Sequence, residues 1–285
     1  MKAAAEREPR FPAWLGSPRM IAACSVVVGI GLWQLGYEAL VRTRYFKAYA
    51  IHHFLSSPLQ VVQAFVELYR SGELLRHSYF SFLEFAYGFL LAIAVGIPVG
   101  LLMATVKKIN YYLDPWVSCL YATPLVALAP VIIVWFGLGI LPNSLVVFLG
   151  AVFPILLNTY TGIKSVKQNL IEVVRAFGGS RLQLFFKVMI PDATPAIITG
   201  IRLAVGRAVI SVVVAELFGA EAGLGFMVYF YSQRFLPGPV FVGIVVLVVF
   251  GIVSFLALEK VQGWLSPWYA HQLRRAAHGM EVEQP

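Results

Sequence analysis

EVVRAFGGSRLQLFFKVMIP, residues 172–191, is a polar island between two long apolar runs. Its pattern predicts a short amphipathic helix, a break at Gly178-Gly179-Ser180 and a second short helix leading to Pro191. No charged residue occurs between Asp114 and Lys164, yet Glu172, Arg175, Arg181 and Lys187 all fall in the island. Such a stretch presents a polar face outside the bilayer, where a soluble partner can dock. Gly178 and Gly179 permit a sharp reversal that residues with a Cβ resist. Pro191 and Pro195 restrict how the chain leaves the island, because proline fixes φ and removes a donor. Glu172 is expected in the first turn of its helix, where the dipole favours an acid, with Arg175 in reach at i+3.

The rest of the chain sets the solvent. Of 285 residues, 59% are hydrophobic and 13% charged, and the mean hydropathy is +0.78. A soluble domain of this length could not cover that much apolar surface. The net charge of +8 does not indicate nucleic acid, because the basic residues stand singly between apolar runs rather than in one stripe. Cys24 and Cys119 both lie inside apolar runs and are read as small packing residues, not a disulfide or a metal pair. The chain is therefore an all-α membrane protein.

A crossing helix needs about 20 mainly apolar residues, and six segments qualify: 20–40, 79–106, 116–136, 144–163, 193–218 and 240–258. The fifth contains Arg202, Arg207 and Glu216; without it five spans remain. Lys107, Lys108, Lys164, Lys167, Arg175, Arg181 and Lys187 fall on the side of the N-terminal Lys2, Arg7 and Arg10. The opposite side holds mainly Arg42, Arg44, Lys47, Arg70 and Arg76, all in one loop. The positive-inside bias thus places both termini and the island in the cytosol. No small-x-small cleavage site follows the first apolar run, so that run is read as a retained helix. Outside, residues 57–76 space Leu59, Val62, Phe65, Val66 and Leu68 as an interfacial helix. The expected organisation is a cytosolic segment 1–19, one transmembrane domain 20–265 with its cytosolic loop at about 164–192, and a polar cytosolic tail 266–285.

Glu172-Val173-Val174, three residues, Gly178, nine residues and then Val188-Met189-Ile190-Pro191 resembles the cytoplasmic E-A-A, x3, G, x9, I-x-L-P signature of bacterial ABC importer permeases. Glu172, Gly178 and Pro191 match by identity, while Val173 and Val174 replace two alanines. Leu113-Asp114-Pro115, Ile133 to Gly137, Phe153-Pro154-Ile155, Gly200 to Ala204, Ala215-Glu216 and Gly223-Leu224-Gly225 are similar to the branch that carries sulfonates, taurine and nitrate. Some relatives in that branch carry pyrimidine precursors. The resemblance covers about residues 55–265 and implies a type I importer permease fold in the inner membrane. It also implies that the island is the coupling helix seated on a separate ATPase. Glu172, Val173, Val174, Arg175, Gly178, Gly179, Ser180, Arg181 and Pro191 would make that contact. ATP and Mg would be bound by two ATPase subunits, a solute-binding protein would deliver cargo outside, and a second permease copy would complete the pathway.

The chain itself shows no nucleotide loop. It has no G-x4-G-K-[ST], and Gly29-Ile30-Gly31, Gly137-Leu138-Gly139 and Gly223-Leu224-Gly225 lack the third glycine of a dinucleotide fingerprint. His52-His53 is an adjacent pair without metal spacing, read as solvated. No enzyme activity and no metal site are expected.

Charges in a bilayer usually face a cavity, a partner or an interface. Arg202 and Glu216 lie on one face of the fifth span but about 21 Å apart along it, so each needs its own partner. Arg202 and Arg207 would make a pathway attractive to an anion, or else snorkel and hold helices together. Glu216 precedes a Gly-rich turn and is read first as support for it. Glu84, where relatives carry a basic or neutral residue, is expected either to pair with an arginine or to disfavour an anion. Gly88, Ala92, Gly96 and Gly100 form a small-residue ridge for close helix contact, within or between chains. The expected function is alternating-access import of a small anion such as a sulfonate, taurine or nitrate. The alternatives are import of an uncharged heterocycle and an ATP-independent secondary transporter.

Overall fold

The computed structural model describes residues 18–42 and 54–265. The His52-His53 pair, the basic N-terminal segment and the polar tail lie outside the described residues. Helix α1 (Pro18–Arg42) is followed by α2 (Pro58–Arg70), whose start is fixed by a capping box. There the Ser57 hydroxyl accepts from the Gln60 amide and the Gln60 side chain accepts from the Ser57 amide. Ala64 and Leu68 of α2 are buried, while Leu59, Val62, Phe65 and Tyr69 are exposed. The helix α3 (Glu73–Thr105) starts after Gly72, at φ 78°, and ends where Val106 is extended.

The expected third span is not one helix. It divides into α4 (Lys107–Ala122) and α5 (Leu125–Phe136), bent by 99°. The cause is Thr123-Pro124. Proline disfavours the helical region for the residue before it, and Thr123 is extended at φ −71°, ψ 129°. Next come α6 (Ile140–Lys164) and α7 (Gln168–Ala176). The short α8 (Arg181–Leu184) passes through a π-helical turn, Phe185–Met189, into α9 (Ile190–Gly219). α10 (Leu224–Ser232) and α11 (Pro237–Leu265) complete the described chain.

Glycines set how these helices assemble, because without a hydrophobic drive between spans close contact depends on small residues. A Cβ on Gly100 would lie 2.6 Å from the Leu156 carbonyl, and Gly96 faces Val152 and Ile155. Gly88 faces Ser144 and Val147. The ridge on α3 is therefore an intrachain seam with α6, and the order of contacts makes the two helices parallel. On the other side of α6, Gly150 meets Ser211 and Gly162 meets Ala196, so α9 runs antiparallel to α6. Ala92, Val147, Ala151, Ile155, Ala204, Ala208 and Val212 form the resulting core.

Since α3 and α6 run parallel, the bent α4–α5 pair must carry the chain back between them. It thus reads as a broken span, and with five unbroken apolar helices the described residues have up to six crossings. Two further expectations change. Cys24 and Cys119 are free but exposed on their helices rather than packed inside. The fifth span is not preceded by a break: α8, the π turn and α9 form one rod, Arg181–Gly219, of 39 residues. Inside that rod Pro191 follows the π turn, where the Ile190 amide bonds the Phe185 carbonyl and the regular ladder is already interrupted.

Candidate functional site

Three places in this scaffold bring the chemistry-bearing residues together. The first is the loop at the α7 end. α7 closes with a Schellman cap: the Gly178 amide bonds the Arg175 carbonyl at 3.0 Å and the Gly179 amide bonds the Val174 carbonyl at 2.9 Å. Gly178 has φ 74°, a region that residues with a Cβ avoid. Ser180 then caps α8, its hydroxyl accepting from the Gln183 amide while the Gln183 side chain accepts from the Ser180 amide. That Ser-x-x-Gln box was readable in sequence and adds a second reason for the turn.

α7 buries none of its residues within the chain. Phe177 is 89% exposed, and Val173, Leu182 and Phe186 are exposed beside it. Glu172 is the fifth residue of its helix, so it lies in the second turn, and the first turn holds no acid. The expected dipole role lapses, since that effect fades within one turn. Glu172 and Arg175 also do not form an ion pair; both side chains are exposed, where solvation competes.

The second place is a cavity of about 490 Å³ at the α4–α5 bend. Tyr121, Thr123, Leu125, Leu149, Phe153, Arg207 and Ser211 are among its lining residues. The Arg207 guanidinium lies 5.0 Å from the Tyr121 ring centroid, and its Nη2 donates to the Tyr121 hydroxyl at 3.2 Å. A cation facing an aromatic ring is partly compensated for lost water, which lets Arg207 stand in an apolar setting. Arg202 is turned elsewhere, its guanidinium 5.1 Å from the Phe255 ring of α11. The structure thus separates the two arginines: Arg207 faces the cavity and Arg202 faces α11.

The third place is a buried polar cluster at the opposite end of α9. Glu216 and Glu84 are each 1% exposed. Glu216 Oε1 accepts from the Ser81 hydroxyl at 2.5 Å and Oε2 accepts from the Gly225 amide at 2.5 Å. The Ser81 oxygen also accepts from the Leu224 amide at 2.7 Å, and His77 Nδ1 accepts from the Gly223 amide at 2.9 Å. His77 Nε2 lies 3.6 Å from Glu73 Oε1. Glu216 therefore supports the Gly-rich turn, the first of the readings its sequence position allowed.

The two glycines of Gly223-Leu224-Gly225 are required here. A Cβ on Gly225 would lie 2.9 Å from Glu216 Oε2, and Gly223 holds φ 136° against the same carboxylate. The expected pairing of Glu84 with an arginine is not found. Glu84 Oε1 accepts from Asn143 Nδ2 at 2.8 Å, and its charged neighbour is Glu216. Thirteen α3 positions separate Glu84 from Ile97, which packs in one cluster with Ile197 and Ile201, and that offset keeps Arg202 away. Sequence reasoning named Glu84 and Glu216 but not His77, Ser81, Asn143 or Tyr121. For Ser81 the available signal was its place beside Glu84; for the others there was none.

Comparisons with known proteins agree with this architecture. Residues 96–266 match the family model of the binding-protein-dependent transport system inner membrane component. The chain is 37% identical over 214 residues to a putative aliphatic sulfonates transport permease protein SsuC of Bacillus subtilis, covering 75% of this chain and 78% of that one. It is 34% identical to the formylaminopyrimidine transport permease protein ThiX of Halalkalibacterium halodurans, covering 77% and 88%. With the taurine transport system permease protein TauC of Escherichia coli it shares 31% identity over 76% and 80%. In fold it is similar to the inward-facing MetNI methionine ABC transporter, with a TM-score of 0.55 over 73% of this chain and 97% of that one, at 20% identity.

Proposed function

This chain belongs to the family of binding-protein-dependent transport system inner membrane components, and we propose that its cargo is a small organic anion drawn past Arg207. It is the permease subunit of an ABC importer of the sulfonate and taurine branch, an integral inner-membrane protein, and ATP hydrolysis belongs to a separate subunit. One observation carries the cargo reading: a guanidinium faces a cavity of about 490 Å³ at the bend of a broken span. A sulfonate or similar anion would draw on that charge, and the apolar wall of Leu125, Leu149 and Phe153 would receive an aliphatic tail.

In the same reading residues 20–265 are the transmembrane domain, both termini are cytosolic and the loop at 164–192 seats on the ATPase. Glu172, Val173, Val174 and Arg175 supply the helix, Gly178, Gly179 and Ser180 its turn, and Arg181 and Pro191 the link to α9. ATP and Mg stay on that partner, and a solute-binding protein delivers cargo at the α10 end. A second copy of this chain closes the pathway, and the sites alternate between outward and inward access. Arg202, held against α11, stabilises helix contact instead of meeting cargo, Glu216 serves the α10 turn, and Glu84 links α3 to Asn143 of α6.

Uptake by the reconstituted transporter tests the cargo. A charge-assisted contact contributes about 1.5–3 kcal/mol, so Arg207→Ala should reduce uptake of a short alkanesulfonate by roughly tenfold to a hundredfold while the complex still assembles. Unchanged sulfonate uptake would remove the reading. A second reading, an uncharged heterocycle, draws on Tyr121 and Phe153 in the same cavity. Saturable uptake of a neutral pyrimidine that survives Arg207→Ala would select it.

A further inference from the structure

α2 meets three different surroundings, and its sequence sorts residues among them. At 3.6 residues per turn its side chains fall into three arcs. Ala64 and Leu68 share the buried arc. They pack into one cluster with Leu74 of α3, Leu224 and Met227 of α10 and Val242 of α11. Leu59, Val62, Phe65, Val66 and Tyr69 fall on a second arc about 120° wide, and all five are exposed. Gln63, Glu67 and Arg70 fall on a third arc of about 60°, also exposed. Five large apolar side chains left open together mark a surface that meets something other than water. No other described residue of the chain covers them.

The level of α2 in the molecule decides what does. A Cβ on Gly238, the second residue of α11, would lie 3.3 Å from the Ala64 Cβ and 3.7 Å from the Gln60 carbonyl oxygen. The middle of α2 is therefore level with the start of α11. From Val240 that helix runs without a charged residue until Glu259. The apolar run thus opens two residues beyond the contact, about 3 Å further along the helix. α2 sits at the edge of the hydrocarbon and not out in the solvent. Its 13 residues are too few to cross a bilayer. A short helix there touches protein, lipid and water at once, which is the division its three arcs make. The Phe65 and Tyr69 rings stack, with centroids 6.3 Å apart, and a tyrosine suits a boundary that is apolar on one side and wet on the other.

We propose that Leu59, Val62, Phe65, Val66 and Tyr69 form a lipid-binding surface, seated at the acyl–headgroup boundary of the leaflet that borders the α10 end. The partner is the bilayer itself, recognised by apolar contact. Headgroup charge is not read, because the water-facing arc carries Glu67 and Arg70, one of each sign. Through Ala64 and Leu68 the same helix is keyed into the α10–α11 cluster, so the leaflet holds that wall of the bundle from its lipid side.

The test uses the full chain assembled with its ATPase in phosphatidylcholine nanodiscs, with Cys24→Ser and Cys119→Ser. Spin labels are placed singly through Val62→Cys, Phe65→Cys and Tyr69→Cys on the apolar arc. Gln63→Cys, Glu67→Cys and Arg70→Cys label the polar arc. All six positions are exposed, and three per arc keep the reading independent of any one variant. Each label is read for collisions with oxygen, which concentrates in lipid, and with a water-soluble nickel chelate. The oxygen-to-nickel ratio should be about tenfold higher on the apolar arc, as expected for a helix with one face in hydrocarbon and another in water. The contrast should be the same in phosphatidylglycerol nanodiscs. Equal nickel access on both arcs would place the helix in water and overturn the proposal. Loss of both relaxers on the apolar arc would mean that protein, such as a second copy of this chain, covers the face, and would overturn it as well. So would the same loss appearing only when the solute-binding protein is added, since the face would then be that protein's dock. A contrast confined to phosphatidylglycerol would overturn recognition without headgroup charge.

Discussion

Around Phe177 apolar side chains stand in the open, whereas around Glu216 polar side chains are shut away. The two places are the opposite ends of one scaffold, joined by the rod that ends in α9. At the Phe177 end the turn between α7 and α8 is met locally, by a Schellman cap and a capping box, so the turn is shaped by its own residues. What it lacks is cover for Val173, Phe177, Leu182 and Phe186. At the Glu216 end the polar side chains are buried, and the local needs are the ones met from afar: α10 cannot cap itself and takes acceptors from α3 and α9. An element shaped by itself and uncovered is suited to a partner from outside the chain. An element shaped by its neighbours is suited to move with them.

The largest effect should come from breaking the self-shaped end. Gly178 has φ 74° with open space beside it, so only conformation, not room, opposes a side chain there. A β-branched residue in that region costs about 1–2 kcal/mol or more. Gly178→Val should therefore misdirect α7 and lower ATP-coupled uptake about tenfold or more, while membrane insertion and the thermal midpoint of the isolated permease stay near those of the parent. Full uptake by that variant would mean that the loop angle does not matter, and the contrast between the two ends would lose its functional sense.

A smaller and more selective effect should follow from Phe177→Ala. The side chain is 89% exposed, so its loss should change folding by no more than about 0.5 kcal/mol. Burying a Phe against a partner contributes about 1.5–3 kcal/mol, and association with the ATPase subunit should weaken by about tenfold or more. Titration of ATPase binding beside a thermal melt reads the two separately. Equal binding by the variant would show that the exposed apolar group is not the seat.

The sequence reached these two ends unequally. The helical class, the spans and the loop were legible because they rest on composition and on spacing within about twenty residues. The broken third span was legible in principle, since Thr123-Pro124 carries its own restriction, but averaging hydropathy over residues 116–136 hid it. The first-turn placement of Glu172 failed because α7 begins at Gln168, in a stretch without a capping side chain to mark it. The Glu216 cluster was opaque for a different reason. Ser81 and Glu216 are 135 residues apart, and His77 and Gly223 are 146 apart. Which of several polar residues meet in an apolar bundle is decided by the glycine seams that set helix register. A Cβ-sized change at Gly88 or Gly100 would shift that register, and no single-chain pattern states it.

The smallest effect, and the finest test of where the sealed end stops, concerns Tyr231 at the last turn of α10. Its hydroxyl donates to the Glu73 carboxylate at 2.9 and 3.0 Å. Burial, and then that carboxylate, push the phenol up from 10.0 to about 12. A raised acid loses its contribution as pH rises: the bond is intact below pH 10 and is lost as pH climbs through about 12. Tyr231→Phe should remove one phenol ionising near pH 12 from the ultraviolet titration and leave the behaviour below pH 10 unchanged. Uptake should fall by no more than about twofold, because a single neutral-donor bond at a partly open position contributes little beside the three that grip the first turn. If Tyr231 instead ionises with the exposed tyrosines, the polar hold of α3 on α10 is confined to His77 and Ser81 at the first turn, and the far end of α10 rests on the apolar contacts of Met227 and Val242 alone.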